Sequence, residues 1–260
     1  CLATWYLYLN ISVDNGFKTA EANRENVSCN RTDTTKSIMI SKNMDEETLK
    51  AIARQLRQPT GEYAIQVGEK MNEGNLHINI NTFEALNLAT NDNILEIGMG
   101  NGFFVKNILS ADNSIKYTGC DFSEVMVDEA RKQNVNFIAS GQAEILKADA
   151  NELPFEKETF DKVFSINTIY FWDNPQKVLA EIWRVLKPKG QVIISIRPKS
   201  IMEHYPFVKY GFKTFAKDDL TELIAKNNFK VVDIIEKDEP EIEINGELTK
   251  TATLLIRAEK

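Results

Sequence analysis

The sequence predicts an α/β protein built on a parallel, doubly wound sheet with helices ahead of it. Three observations predict this. From Asn93 onward, short apolar strands alternate with helices of about ten residues, the pattern of a sheet covered on both faces. Before Asn93 the apolar spacing is helical only. And the first strand runs directly into a glycine-rich turn that opens a helix. The 260 residues, 43% hydrophobic and 27% charged, suffice for a sizeable core without disulfide or metal staples.

The elements follow in order. Residues 1–43 carry an apolar, aromatic start (CLATWYLYLNI) and then a polar stretch with no period, so we expect an irregular extension, with Met39 or Met44 as a natural start. Its three sequons (Asn10, Asn26, Asn30) fall in an Asn/Ser/Thr-rich segment and are read as chance. Residues 44–90 read as a helical cap. Leu49, Ile52, Ala53 and Leu56 share one helix face ahead of Pro59. Tyr63, Ala64, Val67 and Met71 share a second, ending at Gly74, and a third short helix covers Thr82–Leu88. Residues 91–260 read as the sheet domain. Its strands are expected at Asn93–Ile97, Lys116–Cys120, Ala143–Ala148, Lys162–Ile166, Gln191–Ile196, Lys230–Ile235 and Thr251–Arg257. Helices are expected at Gly102–Leu109, after the cap residue Ser123, from Asn174-Pro175 to a stop before Gly190, and from Asp218 to Asn227-Asn228. Glu236–Glu247 reads as an acidic connection.

Composition narrows the function. The net charge is −7, and residues 1–43 carry five cations against four anions, so the body holds −8. A broad basic face for nucleic acid is not expected. No apolar run approaches the ~18 residues of a membrane span. Three cysteines without a C-x-x-C pair favour a reducing, cytoplasmic setting over a disulfide framework. Two histidines and no Cys/His cluster leave no metal site to expect.

The turn Ile97-Gly98-Met99-Gly100-Asn101-Gly102 carries the chemistry. Glycines permit backbone to pass close to a ligand, and the helix behind them offers free N–H groups. Asp121 follows Gly98 by 23 residues, at the end of the second strand, where a nucleotide-binding sheet places an acid against ribose hydroxyls. A dinucleotide site wants G-x-G-x-x-G. Here the pattern is G-x-G-x-G, with Phe at 103, and Glu96 stands two residues before the first glycine. A carboxylate there opposes a pyrophosphate and tolerates a cationic nucleoside, which favours S-adenosylmethionine.

Residues 94–102 (ILEIGMGNG) resemble motif I of the class I S-adenosylmethionine-dependent methyltransferases, and the similarity continues through 117–123, 145–154, 160–172 and 183–196. The chain most resembles the small-molecule branch, of the kind that methylates quinone precursors. The resemblance implies a Rossmann-like, mostly parallel seven-stranded sheet of order 3-2-1-4-5-7-6 with the last strand antiparallel. The N-terminal helices, which precede the sheet and carry apolar faces, are expected to pack over the cofactor as a lid. It implies that Gly98, Gly100 and Gly102 approach the methionine part of the cofactor and that Glu96 orients the loop or the ammonium group. It places Asp121 on the ribose, Phe122 beside adenine, Asp149 and Ala150 on the adenine amino group and ring, and Asn167 toward cofactor and acceptor. Met99 departs from the small or cyclic residues usual there and is expected only to reshape the turn.

Plainer roles stand beside these. Glu96 also reads as a cap for backbone groups and Asp149 as a turn residue. Asp161 reads as a solvated turn residue, Cys120 as a small core residue, and Phe171 and Trp172 as packing. Methyl displacement demands little beyond positioning and exclusion of water. A general base is needed only for a reluctant proton. His77, His204, Tyr170 and Tyr205 are the candidates, and none is assigned. A small-molecule acceptor is expected, with no nucleic-acid partner; the oligomeric state stays open. Two alternatives remain: a nicotinamide-dependent oxidoreductase, and a non-catalytic cofactor-binding relative.

Overall fold

A computed structural model of the chain describes residues 44–244 and 247–260. The expectation for residues 1–43 lies outside them.

The first three helices precede the sheet: α1 Glu46–Arg57, α2 Ala64–Gly74 and α3 Leu76–Leu86. In α1, Asp45 caps the start by accepting from Thr48 N at 2.8 Å. Glu46 and Glu47 stand in its first turn and Arg54 and Arg57 in its last, matching the helix dipole. The predicted face of Leu49, Ile52, Ala53 and Leu56 is the buried one. The third helix begins six residues earlier than expected, at Leu76. Its buried positions are Ile78, Asn79, Thr82 and Leu86, so two polar residues occupy the apolar stripe and conceal its start. Thr82 Oγ1 meets Ser195 Oγ at 2.7 Å in the interior.

The sheet domain continues β1 Asn93–Ile97, α4 Val105–Leu109, β2 Lys116–Asp121, α5 Glu124–Gln133, α6 Val135–Ala139, β3 Ala143–Lys147 and β4 Phe160–Ile166. It ends α7 Pro175–Val185, β5 Leu186–Ile196, α8 Lys199–Met202, α9 Lys217–Lys226, β6 Lys230–Ile244 and β7 Glu247–Glu259. The sheet order is β3-β2-β1-β4-β5-β7-β6, with β7 antiparallel to both its neighbours, as the resemblance implied. The central strands are buried on both faces: Ile94, Leu95 and Ile97 in β1, and Val192, Ile193, Ile194 and Ile196 in β5.

Three expectations are corrected here. The helix after the glycine turn starts at Val105, because Gly102 holds φ at +68° and cannot enter the helix. The helix from Pro175 ends at Val185, so Gly190 lies inside β5 rather than behind a helix. Glu236–Glu247 is largely strand: β6 and β7 pair as one long hairpin, register Lys230↔Glu259 through Ile244↔Glu247. The short helices α6 and α8 were not expected.

Candidate active site

The carboxyl ends of β1 to β4 and the helices α1–α3 enclose a cavity of about 690 Å³. That is within the usual ~300–1,000 Å³ of small-ligand sites. Glu96, Gly98, Gly100, Gly102, Asp121, Phe122, Asp149, Ala150 and Asn167, all named from the sequence, line it together. So do residues the sequence did not single out: Arg57, Asn72, Asn75, Asn79 and Asn101. Polar residues of the cap give no signal before the chain folds over the sheet.

The three glycines of the turn do different work. All have positive φ, +79°, +59° and +68°. A Cβ on Gly98 would stand 2.1 Å from Thr168 Cγ2, and one on Gly102 would stand 2.8 Å from Ala130 Cβ and Asn134 Nδ2. These two let protein pack on protein. A Cβ on Gly100 would meet no heavy atom within 4 Å, although Gly100 lines the cavity. There the missing side chain leaves room for a ligand. Gly98 N and Met99 N both donate to Cys120 O, at 2.8 and 3.3 Å, which ties the turn to β2. Met99 is buried against Val127, Ala130 and Ile145, so it anchors the turn as well as shaping it.

The acids are also distinct. Asp121 Oδ2 accepts from Gly100 N at 3.1 Å and Oδ1 from Ser123 N at 2.8 Å. Its carboxylate therefore fixes the glycine turn and keeps lone pairs for further donors. Asp149 accepts from Asn151 N and Nδ2, both at 2.8 Å, so it closes its own turn while lining the cavity. Asp161 is no solvated turn residue. It lies in β4, accepts from Asn93 N at 2.9 Å and pairs with Lys187 Nζ at 2.7 Å.

Glu96 bonds neither the loop nor its amides. Its Oε2 accepts from the buried Tyr117 hydroxyl at 2.6 Å. Burial pushes its carboxyl up from the usual 4.5 to about 7, against the hydrogen bond from Tyr117 and with help from the nearby Asp121 charge. A raised acid binds its proton more readily in the folded state. Its contribution to stability is thus full below about 4.5 and is lost as pH rises through about 7. Glu96→Gln should therefore gain on the wild type by on the order of 2 kcal/mol between pH 5 and pH 8. Urea unfolding at the two pH values measures this, and parallel stabilities for the two proteins would contradict it.

None of the four side chains weighed as a base lines the cavity. His77 and His204 are exposed. Tyr170 is buried, donating to Asn167 Oδ1 and Arg197 O at 3.0 Å each. Burial raises its hydroxyl and that of Tyr205 well above the usual tyrosine range. Cys120 is buried with its thiol likewise raised, as fits a core residue. Phe171 and Trp172 pack in the core and also reach the cavity.

Residues 95–194 match the family model described as a methyltransferase domain, a match that covers the glycine turn, Asp121, Asp149 and Asn167. Over these residues the chain is similar to the class I S-adenosylmethionine-dependent methyltransferases. Among curated methyltransferases, it is 33% identical over 127 residues to the sterol 4-C-methyltransferase strm-1 of Caenorhabditis elegans, covering 49% of this chain and 37% of that one. It is 34% identical over 121 residues to the ubiquinone/menaquinone biosynthesis C-methyltransferase UbiE of Desulfotalea psychrophila, covering 46% and 48%. The chain thus spans less than half the length of these two relatives. Among solved structures, a S-adenosylmethionine-dependent methyltransferase from Aquifex aeolicus superposes with TM-score 0.55 at 19% identity, over 81% of this chain and 97% of that one; it shows the fold. The nicotinamide alternative is not favoured by these methyltransferase relatives.

The methyltransferase-domain match implies S-adenosylmethionine as cofactor, and the cavity suits it. Gly100 supplies a cradle that a side chain would fill, and Asp121 supplies an acceptor at its rim. Phe122, 39% exposed, offers a ring face nearby.

Proposed function

We propose that the chain transfers a methyl group from S-adenosylmethionine to a small-molecule acceptor. The observation that carries this is the convergence of the nine sequence-derived residues on one cavity beneath the cap. Bound there, S-adenosylmethionine supplies a methyl group already activated on a sulfonium. Asp121 accepts from the ribose hydroxyls, Phe122 flanks the adenine, and Asp149 and Ala150 meet its amino group and ring. Gly98, Gly100 and Gly102 would pass beside the methionine part, with Glu96 lining the same cavity. Asn167, held by Tyr170 at 3.0 Å, faces the transferred group.

Residues 44–90 act as the cap and 91–260 as the cofactor domain. Leu56, Met71, Phe171 and Trp172 give the cap side of the cavity an apolar lining that excludes water. Arg57 and Asp173, paired at 2.7 Å, join the cap to the loop after β4 at the cavity wall. The acceptor in this reading loses its proton without a dedicated histidine or tyrosine. A cytoplasmic setting completes the proposal. It is supported by the sparse cysteines, Cys120 being free and buried. No helix among the described residues is long and apolar enough to cross a membrane.

Ligand-induced stabilisation tests the site. S-adenosylhomocysteine at ~100 times its Kd should add ~2.7 kcal/mol to unfolding stability, and NADH should add none. Transfer of a labelled methyl group into a small-molecule extract then separates an enzyme from a non-catalytic binder. Stabilisation by NADH alone would overturn the reading.

A further inference from the structure

A buried ion pair stands behind the cavity wall, outside its lining. Arg197, the residue after β5, meets Glu239 of β6, Nη2 to Oε2, at 2.8 Å, with the side chains 4% and 3% exposed. The same guanidinium donates to Gly74 O, the last residue of α2, at 3.1 Å and to Ala252 O of β7 at 3.3 Å. Glu239 Oε1 accepts from Thr253 Oγ1 at 2.5 Å. The backbone of Arg197 is engaged too: its N–H donates to the Tyr170 hydroxyl at 2.6 Å and to Asn167 Oδ1 at 3.3 Å.

These bonds close a ring. Asn167 Nδ2 donates to Asn75 Oδ1 at 3.1 Å, and both amides line the cavity. Arg197 thus holds Asn167 by its backbone and the residue before Asn75 by its side chain. Asn167 has φ +56°, in the left-handed region that asparagine tolerates better than most residues, as Asn87, Asn91 and Asn228 also do here. A buried ion pair is a poor source of stability, since apolar side chains of equal volume often match it. What apolar side chains cannot do is reach three segments from one planar fork.

We infer that Arg197, oriented by Glu239, is a positioning residue: it sets the Asn75–Asn167 contact and with it the fit of the cap against the end of β4. This rests on the reading of the cavity as the methyl-donor site. The β6–β7 hairpin, remote in sequence from the glycine turn, thereby helps to shape the site.

The decisive protein is the double variant Arg197→Met/Glu239→Leu, which removes both charges at similar volume. It should unfold near the wild-type temperature, yet bind S-adenosylhomocysteine about ten- to hundredfold more weakly, as displaced site geometry does. Amide exchange at residues 75–79 should quicken. Wild-type affinity and exchange in this variant would overturn the inference. Arg197→Lys keeps the charge opposite Glu239 but loses the fork, and decides the matter if the double variant does not fold. It should show intermediate affinity and faster exchange at 75–79; no change in either would also overturn it. A wild type that fails to bind S-adenosylhomocysteine would refute the donor-site reading instead, and the exchange rates would still test the positioning role.

Discussion

Asp121→Ala should weaken S-adenosylhomocysteine binding by about ten- to hundredfold, the loss expected when a charged hydrogen-bond acceptor is removed. The geometry adds a second cost. Gly100 N, which donates to Asp121 Oδ2 at 3.1 Å, would lose its acceptor, and the turn would lose the bond that fixes it. Asp121→Asn retains one oxygen acceptor and should lose less. Asp161→Ala is unsuitable as an inert comparison. It would strip the acceptor from Asn93 N and the partner from Lys187, so it should lower stability. Glu144, exposed on β3 and outside the cavity lining, serves better. Calorimetric titration should give the order Asp121→Ala weakest, Asp121→Asn intermediate and Glu144→Ala at the wild-type value. Equal affinities in all three would place the ribose elsewhere.

Gly100→Val should abolish binding and leave the fold standing. Nothing in the protein obstructs its Cβ, so the folding cost is that of a side chain at φ +59°, on the order of 1–3 kcal/mol. A domain with ~5–15 kcal/mol of stability survives that. The methyl groups would then occupy the room the cavity offers at the turn. Gly98→Val is the contrasting case. Its Cβ would collide with Thr168 Cγ2 at 2.1 Å, and the protein should fail to fold. Circular dichroism and titration of both variants check the pair. A folded Gly100→Val with unchanged affinity would show that the ligand does not approach this turn.

The parts of the molecule that the sequence made legible are those with local causes. The turn after β1 was readable because strand, glycines and helix lie within a dozen residues. Ser123 was readable as a cap because a cap acts three residues away, on Met126 N. The parts that stayed hidden depend on distant partners. Asp161 looks like a turn acid until Lys187, 26 residues on, is placed beside it. The start of α3 is masked because Asn79 and Thr82 fill core positions, and the Thr82 hydroxyl meets Ser195 from β5 as well as Ile78 O of its own helix. The acidic run after Ile235 reads as a loop, since its crowded carboxylates and Pro240 suit an exposed connection. It is strand because β7 lies alongside, with Thr251, Leu254, Leu255 and Ile256 buried.

The place of β7 bears on how the protein is made. The last strand in sequence lies between β5 and β6, so the sheet cannot close in the order in which its strands leave the ribosome. A nascent chain that has reached residue 240 holds β5 with an unpaired edge and β6 with no neighbour to pair with. Exposed strand edges recruit other chains. Pairings of high sequence separation also form slowly. The interval between the emergence of β5 and that of β7 is thus the period in which this polypeptide is most open to misassembly. Synonymous changes that slow translation of codons 197–247 should lower soluble yield while leaving the finished protein unaltered.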